Sequence, residues 1–420
     1  MSEINQYVVN ICNNAKNASS QIAKANLADK NKVLLEVIKL INSKKNEILL
    51  SNKIDFENAI NANIDPAKID RLILNEDKIK SLIISLEEII KLPDPVGRII
   101  ENYNRPNDLN IQKISTPIGV LLAIYEARPN VTCDVSALAL KSGNAVILRS
   151  GSDCLNTSKI IADIFREALV ITNFNSNIVS FIENKEYEVV NKLLKMNNFI
   201  DVVIPRGGKK LIKAIIDNSN IPMFNHLDGN CHTYVHQDAD LDKALKITIN
   251  AKMRRTSICG ATETLLVDQA IATKFIPLIA KELKNLGCQI RADEFACKID
   301  KSFVKATEDD YYTEFLDKII AIKIVENVDQ AIAHIAKYGS SHTESIITEN
   351  NTIAEKFLQD VNSAIVMHNT STQFADGYEF GMGAEVGIAT GKLHARGPIG
   401  LVQLTTFKYQ VRSKYAIRNG

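Results

Sequence analysis

From Gly119 to Asp217 the chain repeats one pattern, a short and almost wholly apolar run followed by a helical stretch. The runs are Gly119–Glu126, Ala145–Arg149, Asn177–Ile182 and Phe199–Ile204. The helical stretches are Thr132–Lys141, Asn156–Val170, Lys185–Met196 and Gly208–Asp217. Strands this apolar are buried on both faces, and helical crossovers impose parallel pairing. The pattern therefore predicts an open, doubly wound α/β domain, which takes ligands at the carboxyl ends of its strands. The rhythm restarts after Asn230. Cys231–His236, Glu263–Val267, Ile320–Val325, Glu344–Ile347 and Ala364–Met367 read as the strands of a second α/β unit.

Residues 3–91 are helical in pattern, with Val33, Leu34, Val37, Ile38 and Ile41 on one apolar face. Pro66 suits a first helical position, and Pro93-Asp94-Pro95 and Gly97 close the region. Two β-like runs, Arg98–Ile100 and Leu109–Ile114, flank Asn104–Asn107 as a long-looped hairpin. The Gly-rich stretch Gly377–Gly400 leads into a β-like tail, Leu401–Val411.

Fifty basic side chains face 49 acidic ones, a net charge of +1, which excludes a sequence-independent nucleic-acid binder. No run approaches about 18 uninterrupted apolar residues, so no membrane helix is expected. The first residues carry no secretory pattern, and the expected location is the cytoplasm. Seven cysteines include no CxxC pair, which indicates neither a zinc ribbon nor a disulfide framework.

Among those cysteines, Cys259 alone lies in a polar loop, behind Arg254 and Arg255 and among small residues. A thiol is nucleophilic only as thiolate, which nearby cations favour. The residues alone leave a packed loop cysteine equally open. Pro205-Arg206-Gly207-Gly208 follows a strand and opens a helix, the geometry of a phosphate cradle, though such turns also use glycine for shape alone. Arg128 follows a strand end, where a guanidinium can hold phosphate or carboxylate. Gly381–Gly387 has GxGxxxG spacing with no strand before it, so it is read as a close-packed loop and not a dinucleotide fingerprint. His226, Cys231, His232 and His236 fit no common zinc spacing, and no metal is expected.

Several longer stretches decide between these readings. They are IYEARPNVT at Ile124–Thr132, LKSGNAVILRS at Leu140–Ser150, IPRGGKKLI at Ile204–Ile212 and NAKMRRTSICGATETLLV at Asn250–Val267. VENVDQAIAHIAKYGSSHTESI at Val325–Ile346 and the Phe374–Leu401 segment complete the set. In order and content they resemble the gamma-glutamyl phosphate reductase family, a branch of the aldehyde dehydrogenase superfamily.

The resemblance implies an aldehyde dehydrogenase-like α/β fold. Its parts would be a doubly wound Rossmann-type cofactor domain, an α/β catalytic domain and a β-hairpin oligomerisation element. On that plan residues 1–96 are N-terminal helices of the cofactor domain and 97–116 the oligomerisation hairpin. Residues 117–227 form the cofactor-binding domain and 228–370 the catalytic domain. Residues 371–395 return to the cofactor domain, and 396–420 form the oligomerisation tail.

It further implies NADPH-dependent reduction of L-glutamyl 5-phosphate to L-glutamate 5-semialdehyde and phosphate, in proline biosynthesis, through a thioester on Cys259. The developing oxyanion would be held by the Cys259 backbone N–H and an Asn side chain. Asn130, three residues past the aligned Ala127, is the candidate. Arg149, Gly207, Gly208 and Glu314 fall at cofactor-binding positions, with Arg149 suited to the 2′-phosphate of NADP(H). Arg128, Arg255 and His342 are candidates for the substrate's phosphate or carboxylate. Where hydrolytic relatives open a Glu-Leu-Gly-Gly motif, this chain has His226-Leu227-Asp228-Gly229. The alternatives are a hydrolytic NAD(P)-dependent aldehyde dehydrogenase or a catalytically silent binding protein on the same fold. A homodimer or homotetramer is expected, with any glutamate 5-kinase a separate protein and neither nucleic acid nor membrane as partner.

Overall fold

In a computed structural model that describes residues 3–418, the chain forms two compact units. The first contains the described residues up to Asn225, then Gly381–Gly387 and the tail from Ile399. The second contains His226–Phe380 and Ile388–Pro398. The stretch 371–395, expected to return whole to the cofactor domain, is thus divided. Only Gly381–Gly387 returns, while Ile388–Ala389 pairs with Gly397–Pro398 inside the second unit. Residues 1–2 and 419–420 of the expected terminal segments lie outside the described residues.

The first unit carries a four-stranded parallel sheet in the order Val179–Phe181, Ala145–Ser150, Val120–Tyr125, Val202–Arg206. All six residues of Val120–Tyr125 are buried, as a central strand covered on both faces requires. The last strand begins later than its apolar run suggests. The Phe199 and Ile200 amides both donate to the Met196 carbonyl in a turn, and the Asp201 carboxylate accepts from the Val120 amide at 2.8 Å. N-terminal helices pack beside this sheet, and their starts follow side-chain chemistry. Asn26 and Asn75 each accept an orphan amide, those of Asp29 and Lys78. From Val120 the chain winds outward through two strands and then returns to the other side of Val120–Tyr125. The reversal opens a crevice between the carboxyl ends of Val120–Tyr125 and Val202–Arg206, where such sheets bind ligands.

A separate three-stranded antiparallel sheet in the first unit pairs Ile99–Asn104 with Asn110–Pro117, and the latter with Thr405–Arg412. The expected hairpin and tail therefore share one sheet, although the tail strand starts at Thr405 and not Leu401. Ile99, Tyr103, Phe407, Tyr409 and Val411 are all exposed on it.

The second unit is built on a seven-stranded parallel sheet. Its order is Val304–Lys305, Gln289–Ala292, Ile319–Val325, Thr262–Asp268, Cys231–Val235, Thr343–Ile347, Ile365–His368. Both central strands, Thr262–Asp268 and Cys231–Val235, are buried throughout. A core of Leu265, Val267, Phe275, Ile279, Ile320 and Ile322 fixes the helix Gln269–Asn285 to one face. The buried Lys252–Glu263 ion pair lies within this unit, and burial pushes the Glu263 carboxyl up to about 7 despite the neighbouring ammonium.

Candidate functional site

Cys259 occupies a turn between the helix Leu241–Met253 and the strand Thr262–Asp268. The Ala261 amide donates to the Ile258 carbonyl at 3.0 Å, which sets Cys259 and Gly260 at the corners. The thiol is half-buried against a small apolar cluster that includes Ile365, Met367, Ala375 and Ile388. In this unit the nucleophile candidate lies at the amino ends of the strands, the reverse of the rule that applies to the first unit.

Three contacts hold the turn. The Cys231 thiol donates to the Cys259 carbonyl at 3.0 Å. Burial pushes the Cys231 thiol well above its ordinary pKa, so it remains a donor. Gly229 lies against the same carbonyl so closely that a Cβ there would stand 2.1 Å from it. The Glu314 carboxylate accepts from the Gly229 amide at 2.9 Å, which places this cofactor candidate as an anchor of the cysteine turn. Arg254 does not simply stand behind the thiol. It is exposed, and its Nε donates to the Gln373 carbonyl oxygen at 2.8 Å, while the Gln373 amide donates to Ala251 O at 2.8 Å. Arg255 is also exposed.

Two imidazoles close on Cys259. The ligand atoms of His226, Cys259 and His342 all lie within 4.8 Å of one another, and the two rings meet edge to face at 5.3 Å. The His226 Nδ1 lies 2.6 Å from the Ile388 carbonyl, which can only accept. Nδ1 therefore carries the proton, and Nε2 keeps its lone pair in the neutral ring. His342 is fully buried, with Nδ1 2.9 Å from the Thr343 hydroxyl and 3.6 Å from the Cys231 sulfur. The linear sequence shows His226 beside Cys231, His232 and His236 and in place of a glutamate, and gives no sign that it meets His342.

In the first unit the glycine turn holds one of the chain's own carboxylates. Gly207 and Gly208 lie at the carboxyl end of Val202–Arg206, and Gly208 caps the helix Lys209–Asn218. The Gly208 amide donates to the Glu126 carboxylate at 2.7 Å, and Lys68 pairs with the other oxygen at 3.2 Å. A Cβ on Gly207 would stand 2.6 Å from Leu211 and 2.9 Å from Glu126. The turn thus holds an anionic group at a helix start, close against the Leu211 and Glu126 side chains, an arrangement compatible with a diphosphate. Glu126 is invisible as a site residue in the sequence because it reads as the last residue of a strand.

Arg149 lies at the end of the neighbouring strand, half-buried, with Nη1 donating to Ser150 O and Nη2 to Lys185 O at 3.0 Å. Burial lowers its pKa. Arg128 caps the helix Pro129–Lys141. Asn130, in the first turn of that helix, donates its amide to Asp134 at 3.2 Å. Burial raises the Asp134 carboxyl to about 6. Arg128, Asn130, Arg149, Gly207 and Gly208 thus belong to the first unit, and Cys259, Arg255, Glu314 and His342 to the second.

The aldehyde dehydrogenase family model matches residues 4–299. A gamma-glutamyl phosphate reductase from Parvibaculum lavamentivorans is 48% identical over 406 residues, 96% of each chain. Its counterpart from Clostridium acetobutylicum is 45% identical over 416 residues, 99% of this chain and 100% of that one. The crystal structure of gamma-glutamyl phosphate reductase from Thermotoga maritima superposes with a TM-score of 0.96 at 43% identity, covering 98% of this chain and 100% of that one.

Proposed function

Because the chain belongs to the aldehyde dehydrogenase family and, within it, to the gamma-glutamyl phosphate reductases, we propose that it reduces L-glutamyl 5-phosphate to L-glutamate 5-semialdehyde, releasing phosphate, as a step of proline biosynthesis. The observation that carries the reading is the half-buried Cys259 thiol at a turn corner with the His226 imidazole beside it. His226, its tautomer set by Ile388, takes the thiol proton at Nε2. The Cys259 thiolate forms a C–S bond to the acyl carbon, the C–O bond to phosphate breaks, and phosphate leaves with the electron pair. The oxyanion is met by the Cys259 backbone N–H.

A nicotinamide cofactor, NADPH in this reading, supplies the hydride that reduces the resulting thioester. Gly207 and Gly208 would hold its diphosphate, and Arg149 its 2′-phosphate. After reduction the thiohemiacetal collapses, the C–S bond breaks and the thiolate of Cys259 is restored. Arg128, Arg255 and His342 serve the substrate's anionic groups, and Asn130 is a second oxyanion donor in this scheme. Glu314 acts on the chemistry by holding Gly229 and so the cysteine turn.

His226 stands where hydrolytic relatives place a glutamate, which supports a thioester that exchanges with phosphate in preference to activated water. The exposed apolar side chains on the hairpin-and-tail sheet support a homo-oligomer built through it. The test is NADP+ reduction with glutamate 5-semialdehyde, with and without phosphate. The reading expects turnover that needs phosphate and is lost in Cys259→Ala. Full turnover without phosphate rejects the acyl-phosphate reading and points to the hydrolytic alternative.

A further inference from the structure

Among the described residues, His226, Cys259 and His342 are the one place where three metal-ligating side chains converge. We propose that these three form a His2Cys site for a zinc-class divalent ion, and that its occupation reversibly blocks the Cys259 thiol. Two nitrogens and one sulfur are the donors that borderline-soft ions of this class select. A tetrahedral ion with bonds of about 2.0–2.3 Å holds its ligand atoms roughly 3.3–3.6 Å apart. The three atoms already lie within 4.8 Å, so rotamer adjustments of an ångström or so complete the set.

The second observation is what stands behind the ligands. His226 gives its Nδ1–H to the Ile388 carbonyl at 2.6 Å, and the His342 Nδ1 engages the Thr343 hydroxyl at 2.9 Å. Metal-bound imidazoles make this kind of outer contact, which orients the ring and leaves Nε2 as the ligand atom. The Cys231 thiol, held at 3.0 Å from the Cys259 carbonyl, fixes the third ligand's backbone. Three protein ligands leave a fourth position to water. On binding, the Cys259 thiol loses its proton to solvent and its sulfur lone pair to the ion, so the sulfur no longer reaches an acyl carbon. No electron is transferred, and a chelator restores the thiol.

This inference stands on the geometry of the three side chains and not on the reaction assigned above. The probe is Co2+ added to the full chain, read by absorbance, followed by displacement with Zn2+. The expected result is one Co2+ per chain, with a thiolate-to-cobalt charge-transfer band and the intense visible bands of four-coordinate cobalt. The charge-transfer band disappears in Cys259→Ala. His226→Ala weakens binding by at least the roughly 10–100-fold that loss of even an outer-shell partner costs. Zn2+ slows iodoacetamide labelling of Cys259, and a chelator reverses the effect. A charge-transfer band that survives in Cys259→Ala assigns the ion to another thiol and overturns the proposal, as does labelling unchanged by Zn2+. The labelling arm needs no turnover, so failure here leaves the reaction test standing, and failure of that test leaves the metal site standing.

Discussion

Glu126→Gln is expected to tighten cofactor binding. The Glu126 carboxylate accepts the Gly208 amide at 2.7 Å, at the helix start assigned to the cofactor diphosphate. A diphosphate that takes this amide must displace the carboxylate. A hydrogen bond to a charged group contributes about 1.5–3 kcal/mol net, and the neutral equivalent about half. Displacing the Gln side chain thus costs roughly 1 kcal/mol less. The substitution also removes a like charge facing the diphosphate. That gain is screened, because Glu126 is 23% exposed and Lys68 stands 3.2 Å away. Together the terms amount to about 1–2 kcal/mol, or roughly 5–30-fold in dissociation constant. NADPH fluorescence on titration with wild type and variant measures it directly. The electrostatic part shrinks as salt rises towards about 1 M, where the Debye length falls to about 3 Å. Binding that is unchanged or weaker in Glu126→Gln refutes the competition between carboxylate and diphosphate.

Other consequences follow from the same structure. Gly229→Ala puts a Cβ 2.1 Å from the Cys259 carbonyl and forces the nucleophile turn to move, so turnover falls about 100-fold while circular dichroism is unchanged. His334 is buried among Tyr311, Tyr338 and His232, and burial lowers its pKa to about 2. Between pH 7 and 5 only the unfolded chain gains this proton, around its ordinary pKa of about 6.5, so stability falls on acidification by about 2 kcal/mol. Urea titrations at the two pH values show the loss, and His334→Gln reduces it. Replacing Tyr409 and Val411, each 55% exposed on the tail strand, with lysine lowers the mass measured by sedimentation if the sheet is the contact between copies.

The inner strands of the parallel sheets are legible because they are apolar on both faces, a pattern that needs no knowledge of neighbours. Gln289–Ala292 and Val304–Lys305, short and partly or wholly exposed at one edge of the second sheet, carry no such pattern and go unread. Boundaries fail where a side chain overrides the pattern. Phe199 is apolar enough for a strand, yet it belongs to a turn closed on Met196. Cys259 stands out in the sequence because its loop is polar. Its setting does not, since Arg254, near it in sequence, turns to Gln373, while His226 and His342 arrive from distant segments. Glu126 is hidden for a related reason. A residue at a strand's end acquires a role only when the returning strand brings Gly208 beside it. The division of 371–395 likewise follows from the pairing of Ile388–Ala389 with Gly397–Pro398, a contact that composition does not encode.

The central claim is that Cys259 carries the acyl group. It is tested most directly by mixing the protein with NADP+ and glutamate 5-semialdehyde in the absence of phosphate and following NADPH. The account predicts a single burst of NADPH, equal to the number of active Cys259 thiols, with a glutamyl group on the Cys259 peptide by mass spectrometry. Adding phosphate then releases steady turnover. Continuous NADPH formation without phosphate, or a burst undiminished in Cys259→Ala, contradicts it.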